Sequence, residues 1–240
     1  MCPLSDSRQI YKNQFDKKEK EEKKWVNVMA LADNKSFMKI EARLEGNQVK
    51  GHRSTILYGQ EAVEYQANEK HKQDSIVSNP ESNGSLKNKL TVTNLKVKKQ
   101  ENDQALIEEE FDFVLQTDRT DDHLYINPML FPHLKSNPFI QTERVLPIEF
   151  PYPYKFTMLA TLTLPEGYEV EETPQPQVIR TQGDGLQCKY MIQRQGNTIS
   201  LNYIFYLKEP IFLTEQYKQL QELWTKVIEK NNEILVLKKI

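Results

Sequence analysis

The feature that most constrains this chain is a strict alternation of apolar and polar side chains in its C-terminal part. The apolar side chains of one alternating segment are Phe156, Met158, Ala160, Leu162 and Leu164. Those of another are Ile199, Leu201, Tyr203, Phe205 and Leu207. Because successive side chains of a β-strand point to opposite faces of its sheet, this period predicts strands with one buried face. A fold built around a sheet is therefore expected.

Further strand patterns occur along the chain, and hairpin turns join some of them. Gly46-Asn47 and Gly196-Asn197 can adopt the positive backbone angles that tight turns require. The remaining strand patterns cover residues 38–44, 49–58, 90–97, 105–116, 168–172, 177–181 and 186–194. The sequence thus predicts a mainly β fold, specifically an antiparallel β-sandwich whose strands after residue 156 form a meander.

Two helices are expected beside these strands. Thr214 is a suitable N-cap for a C-terminal amphipathic helix that should pack on a sheet. The apolar stripe of that helix consists of Tyr217, Leu220, Trp224, Val227 and Ile228. Residues 234–237 form a last β-prone run that could join the sheet as an edge or closing strand. Residues 59–72 fit a short surface helix.

The predicted domain organisation is a flexible charged lead-in over residues 1–24, followed by one β-sandwich domain over residues 25–240. The lead-in contains the mixed-sign run KKEKEEKK, which has no apolar face. Residues 73–89 are rich in Ser, Asn and charge, so they are expected to form a loop that could mark an internal boundary. Residues 123–139 hold three prolines and predict an ordered crossover.

The balance of charge argues against partners that bind through a basic field. The chain carries 32 Lys plus Arg against 34 Asp plus Glu, a formal net charge of -2. Nucleic acid is therefore not an expected partner. No apolar run is long enough for a transmembrane segment or, within residues 1–24, for the core of a signal peptide. Taken literally this indicates a cytoplasmic chain, although the chain could equally be a fragment of a longer protein.

No catalytic centre, metal site or cofactor site is predicted. Cys188 shares its strand face with apolar side chains and is expected to be a buried, inert thiol, while Cys2 lies in the lead-in. The four histidines have no pair at metal-ligand spacing; they are His52, His71, His123 and His133. The acidic group Asp118, Asp121 and Asp122 lacks the other ligands of an EF-hand and is expected to be a solvated turn.

Tyr152 and Tyr154 are the candidate ligand-binding residues. They belong to the segment FPYPY, in which proline fixes the backbone between the rings. An exposed platform of such rings could bind a sugar or a peptide. The alternative is that the rings pack beneath a loop at the entrance to a strand. Exposure of the two rings distinguishes these interpretations.

A family resemblance rests on four C-terminal segments. They are FPYPY at residues 150–154, LPEGYEVEETP at 164–174, QGNTISLNY at 195–203, and the helix from Thr214. Together they resemble the C-terminal, non-catalytic β region of bacterial transglutaminase-like proteins, in which a β domain follows a papain-related catalytic core. The resemblance is good over residues 140–240 and weaker over residues 25–139.

The resemblance implies an extracytoplasmic protein, in the periplasm or cell envelope, whose Cys-His-Asp catalytic core lies outside this chain. No catalytic residue can be carried over, because neither cysteine has the local context of the family's nucleophile. The leading expectation is a non-catalytic accessory or interaction domain, whose partner is the adjacent catalytic domain or another cell-envelope ligand. The alternative is a stand-alone carbohydrate- or peptide-binding β-sandwich. A hydrolase would need an acid or histidine pair in a cleft.

Overall fold

The computed structural model describes residues 9–12, 24–27, 34–72, 90–101 and 105–240. Cys2, the charged run before Lys24 and the predicted loop 73–89 lie outside these ranges. The strands of the N-terminal half are β1 (Gln9–Lys12), β2 (Lys24–Asn27), β3 (Lys35–Glu45), β4 (Gln48–Tyr58), β5 (Leu90–Glu101), β6 (Ala105–Gln116) and β7 (Asp118–Arg119). Those that follow are β8 (His123–Ile126), β9 (Ile148–Glu149), β10 (Tyr154–Thr163), β11 (Tyr168–Glu172), β12 (Gln177–Arg180), β13 (Leu186–Gln195), β14 (Thr198–Leu207), β15 (Ile211–Phe212) and β16 (Leu235–Lys239). The helices are α1 (Gln60–Lys72) and α2 (Tyr217–Asn231), the latter preceded by a 3₁₀ turn over Thr214–Gln216.

The main element is an eight-stranded sheet in the order β12-β13-β14-β10-β3-β4-β6-β5. Its neighbouring strands are antiparallel except at the centre, where β10 lies parallel to β3 with Met158 opposite Met38. The sheet therefore joins two antiparallel halves from distant parts of the chain. Four of its strands come from residues 35–116 and the other four from residues 154–207.

A four-stranded sheet in the order β11-β16-β8-β7 accompanies the main sheet, and β15 pairs with β9 and β1 with β2 in two-stranded ribbons. The prediction of a continuous meander after residue 156 is wrong, because β11 leaves the main sheet and pairs with β16. β16 is an inner strand of the smaller sheet rather than an edge. The crossover predicted at 123–139 begins with strand β8, which supplies the other neighbour of β16.

The core lies on one face of the main sheet and follows the alternation of the sequence. Side chains of β3, β10, β13 and β14 alternate between buried and exposed positions along each strand. The same apolar cluster includes the inward side chains of β8, β16 and α2. The predicted mainly β fold with a C-terminal helix on a sheet is confirmed.

Helix α2 packs on the sheet through Trp224. The ring of Trp224 meets that of Phe205 on β14 edge-on at 5.4 Å between centroids, and it stacks on Phe150 at 5.9 Å. The predicted N-cap Thr214 is wrong: the cap position of α2 is Gln216, and Thr214 begins the 3₁₀ turn before it. Leu213 caps that turn, and its backbone N–H donates to Gln216 Oε1 at 2.7 Å. Of the helices in the described residues, neither is long and apolar enough to cross a membrane.

Within the predicted lead-in, Gln9–Lys12 forms a strand that pairs with Lys24–Asn27. The prediction of one β-sandwich domain over residues 25–240 remains a prediction, as does the boundary in residues 73–89.

Candidate functional site

The two candidate tyrosines lie in an internal junction between α1 and the start of β10. Tyr152 donates a hydrogen bond from its hydroxyl to Glu61 Oε1 at 3.1 Å, and the Tyr154 hydroxyl lies 3.5 Å from His133 Nε2. The two tyrosine rings meet edge-on with centroids 6.4 Å apart. Both side chains are half-buried. The rings therefore form no flat open platform, and the ligand-binding role suggested for them stays a prediction.

His133 completes this junction on the core side. Its ring stacks on Phe156 at 4.0 Å between centroids with an interplanar angle of 7°, and it lies 5.7 Å from Phe205. Burial among these rings lowers the pKa of His133 to about 4, because removal from water disfavours the charged imidazolium. His133 is thus neutral at neutral pH, and its half-buried ring packs against the aromatic side chains of the core.

Glu61 is a titratable residue of this junction that the sequence analysis did not identify. Burial raises the pKa of its carboxyl, against the opposing effect of the hydrogen bond from Tyr152. Burial likewise raises the pKa of the Tyr152 and Tyr154 hydroxyls. Perturbed titration often marks catalytic groups, but it also occurs in structural networks. Here the carboxyl is engaged by Tyr152, so its contacts favour a role in holding α1.

A second polar contact of α1 lies over the inner face of β4 and β6. Arg53 pairs with Glu109 at 3.1 Å, and the Tyr65 hydroxyl donates to the other Glu109 oxygen at 2.6 Å. The guanidinium of Arg53 also lies over the rings of Phe111 and Phe131, at 4.8 and 5.0 Å from their centroids. The start of α1 is fixed by Asn34, whose Oδ1 accepts from the Gln60 backbone N–H at 3.0 Å.

The predicted burial of Cys188 is confirmed. The side chain has no exposed surface, and burial raises the pKa of its thiol to about 12. A nucleophilic cysteine needs the thiolate, so this environment opposes catalysis at Cys188. Its neighbours include Tyr203, whose hydroxyl lies 3.4 Å from Asn231 Nδ2.

The other candidates from the sequence lie apart from one another. His52 contacts Asp112 at 2.9 Å on β6, and His123 contacts Glu171 at 3.0 Å on β11. His71 lies in the last turn of α1. Within the part of the chain that the structure describes, no three His, Cys, Asp or Glu residues cluster as metal ligands, and this includes the acidic group at 118–122.

The β15–β9 ribbon and the loops that lead to it carry exposed apolar side chains, which we call the apolar loop patch: Ile140, Val145, Leu146, Ile211 and Leu213. Val145 and Ile140 are 91% and 85% exposed, and Leu146 is 68% exposed. In the β15–β9 ribbon Phe212 lies opposite Ile148. Leu213 therefore lies beside Pro147, the residue after Leu146. Exposed apolar side chains concentrated in one part of the chain's surface commonly mark an interaction site.

The outward face of the main sheet divides into two halves at the parallel β10–β3 junction. The half formed by β10, β12, β13 and β14 contains no Asp or Glu in any of its strands, and we call its outward surface the acid-free face. The half formed by β3–β6 is the charge-paired face. Its charged contacts include Lys39–Glu41 at 2.8 Å, Lys50–Glu45 at 2.7 Å, His52–Asp112 at 2.9 Å and Lys96–Glu110 at 3.1 Å. Arg43 also pairs with Glu45.

An open groove of about 500 Å³ crosses the charge-paired face. Its lining includes Glu41, Arg43, Lys50, Asp112 and Thr163. Gly51 lies opposite Ala42 in this groove, and a Cβ at Gly51 would come within 2.5 Å of the Glu41 carbonyl oxygen, so the position requires glycine. The groove is lined by charges of both signs, and several of them are already paired, so it offers no strong preference for one ligand charge.

The comparison with family models matches the C-terminal part of the chain. Residues 122–237 match the family model of a domain of unknown function with solved structure, DUF3858. No curated protein matches. A crystal structure of a "putative protease" from Parabacteroides distasonis ATCC 8503 shares 19% identity over 50% of this chain, with a TM-score of 0.41. The matched part spans 24% of that protein.

Proposed function

We propose that this chain is a non-catalytic interaction domain that accompanies a transglutaminase-like, papain-related catalytic core in a larger cell-envelope protein. The observation that carries the proposal is the apolar loop patch. In water, side chains such as Val145 and Leu146 gain nothing from this degree of exposure, whereas contact with another protein surface would bury them.

Two further observations support a non-catalytic role. The one thiol in the described residues, Cys188, is buried and has a raised pKa, which opposes nucleophilic chemistry. The Tyr152 and Tyr154 hydroxyls are directed to Glu61 and His133 inside the protein. In addition, the C-terminal segments that resemble the accessory region of transglutaminase-like proteins all lie within residues 122–237, the part that matches the family of unknown function.

The patch predicts a specific change when it is made polar in the full-length parent polypeptide. Val145→Ser with Leu146→Ser should leave this domain folded but weaken its contact with the catalytic core. Differential scanning calorimetry should then show the core and this domain unfolding in separate transitions instead of a shared one. Val63→Ser, which changes an exposed apolar residue on α1, is the matched control and should retain the shared transition.

The proposed function fails if removal of this domain from the parent changes neither the stability of the remaining protein, nor substrate access, nor location. It also fails if the Val145/Leu146 variant and the Val63 variant behave identically.

A further inference from the structure

The acid-free face combines exposed apolar side chains with cations. Its most exposed apolar residues are Val178 at 51% and Met191 at 47%, followed by Leu159 and Tyr206 at 38% and 37%. Lys155, Lys189 and Arg180 project from the same side of the sheet, since they share the parity of these residues along their strands. The surface is separate in sequence and in strand from the apolar loop patch.

The register interleaves the two kinds of side chain. Lys189 lies between Val178 on β12 and Ile204 on β14, and Lys155 lies opposite Tyr206. Leu159 and Met191 flank Asn202 on either side. With neighbouring strands about 4.8 Å apart, this places the residues in one patch roughly 14 Å across its four strands.

The cations of this patch are not neutralised by carboxylates of their own strands. Arg180 reaches Asp184 in the following turn at 3.3 Å, and among the described residues Lys155 and Lys189 form no ion pair. The chain as a whole has a slight excess of acidic residues, so the local absence of carboxylates is a property of this face alone.

We propose that the acid-free face binds a protein partner whose contacting surface combines aliphatic side chains with carboxylates. Aliphatic groups of the partner would cover Leu159, Met191 and Val178, and its carboxylates would pair with Lys155 and Lys189. Charge complementarity of this kind sets orientation and excludes basic partners.

Other classes of partner fit the surface less well. Nucleic-acid affinity grows with the number of phosphates contacted, and three cations in a patch of this size supply few contacts. Insertion into a bilayer would force Asn202 and the outward threonines of β10 to leave water without hydrogen-bond partners. A protein surface can satisfy those polar groups while it covers the apolar ones. The small area predicts a weak complex, with a dissociation constant in the micromolar range.

The test uses methyl NMR of the whole chain and two synthetic amphipathic peptides. One peptide alternates Leu with Glu, and the other has Lys in place of each Glu. The acidic peptide should shift the methyl signals of Met191, Leu159 and Val178 with salt-dependent affinity, and the basic peptide should not. Lys189→Glu should weaken binding of the acidic peptide at least about fivefold, because it places like charges in contact.

The matched control is Lys96→Glu, the same reversal on the charge-paired face, which should leave binding of the acidic peptide unchanged. The proposal is overturned if the acidic peptide causes no shift, or if both peptides bind equally. Tighter binding to phosphatidylglycerol vesicles than to the acidic peptide would overturn the proposal and indicate that the face binds a membrane. If the chain self-associates in sedimentation experiments and Lys189→Glu abolishes this, the partner would be a second copy of the chain. None of these results depends on the Val145/Leu146 experiment, so the two proposals fail separately.

Discussion

The two halves of the outward face belong to one sheet and cover one core, but their solvent-exposed side chains differ. On the charge-paired face, lysines and carboxylates neutralise one another across strands, as in the pairs of Lys50 with Glu45 and of Lys96 with Glu110. On the acid-free face, Thr, Asn and Gln alternate with exposed Met191 and Val178, and no strand supplies a carboxylate. The charges of the first surface are therefore largely neutralised within the chain. The second surface keeps cations and exposed apolar side chains that another molecule could contact.

The contrast extends to the inner side of each half. Beneath the charge-paired half lies the partly buried pair Arg53–Glu109, which also holds α1 through Tyr65. Beneath the acid-free half lies His133, a neutral ring stacked on Phe156. The strands of the charge-paired half thus carry an inner ion pair of their own. The inner charge over the acid-free half comes instead from α2, where buried Lys230 pairs with Glu233 and lies over the ring of Tyr190.

The largest expected effect is that of Glu109→Ala. The substitution removes the carboxylate that pairs with the Arg53 guanidinium and the hydrogen bond that the Tyr65 hydroxyl donates to Glu109. Because removing one partner of a buried pair leaves a desolvated charge, the free energy of unfolding should fall by about 3 kcal/mol. Urea unfolding followed by circular dichroism measures this. The control is Glu110→Ala on the same strand as Glu109, which removes the exposed pair of Glu110 with Lys96. An equal fall in the free energy of unfolding in both variants would mean that inner and outer charges do not differ in their contribution.

The next effect is a pH dependence from the acid-free half. The pKa of His133 is about 4 in the folded protein, below the value of about 6.5 for an unfolded histidine. The stability that neutral His133 provides is therefore complete above pH 6.5 and is lost as the pH falls from there to about 4. A difference of 2.5 pKa units corresponds to at most about 3 kcal/mol.

His133→Phe keeps an aromatic ring but removes the titration, so its unfolding free energy should change less than that of the wild type between pH 7 and pH 4. Urea titrations at both pH values measure the difference. His52→Gln, on the charge-paired face, is the control and should keep the wild-type loss. If His133→Phe loses as much stability as the wild type, the loss of stability at low pH does not come from His133.

A smaller effect is expected from Asp112→Asn on the charge-paired face. Hydrogen bonds from Asn94 and His52 hold the pKa of Asp112 below its usual range, so its contribution is present at neutral pH and is lost only as the pH falls through that lowered pKa. The group is exposed, and exposed pairs contribute little. The unfolding temperature should fall by less than about 2 °C, and by less still in high salt. A shift that persists in high salt would mean that this surface depends on something other than exposed ion pairs.

Much of this comparison can be read from the sequence, because alternation assigns each residue of a strand to a face. The hairpin of β3 and β4, the strands β10, β13 and β14, and the buried position of Cys188 follow from that pattern. Arg53 and Glu109 also carried a signal, since each is a charged residue in an otherwise inward-facing row. Such a residue indicates a buried pair, but its partner lies on another strand and local pattern does not identify it.

What the sequence could not give is which strands are neighbours. The parallel contact of β10 with β3 brings together residues more than one hundred positions apart, and nothing in either alternation selects it over an antiparallel pairing. The same limit explains the misplaced β11, whose pairing with β16 depends on a strand near the other end of the domain. The acid-free face exists only through these pairings, so it becomes visible only in the folded chain.

The smallest expected effect gives the sharpest test of what the acid-free face is for. Leu159→Thr with Met191→Gln replaces two half-exposed apolar side chains by residues of the kind that already surround them, such as Thr157 and Gln193. Since little of their surface is removed from water in the isolated chain, the unfolding temperature should change by less than about 2 °C. The same double variant should lose binding of the acidic amphipathic peptide. A large fall in the unfolding temperature would mean that these side chains stabilise the fold itself. The acid-free face would then differ from the charge-paired face in composition, but it would not be a binding surface.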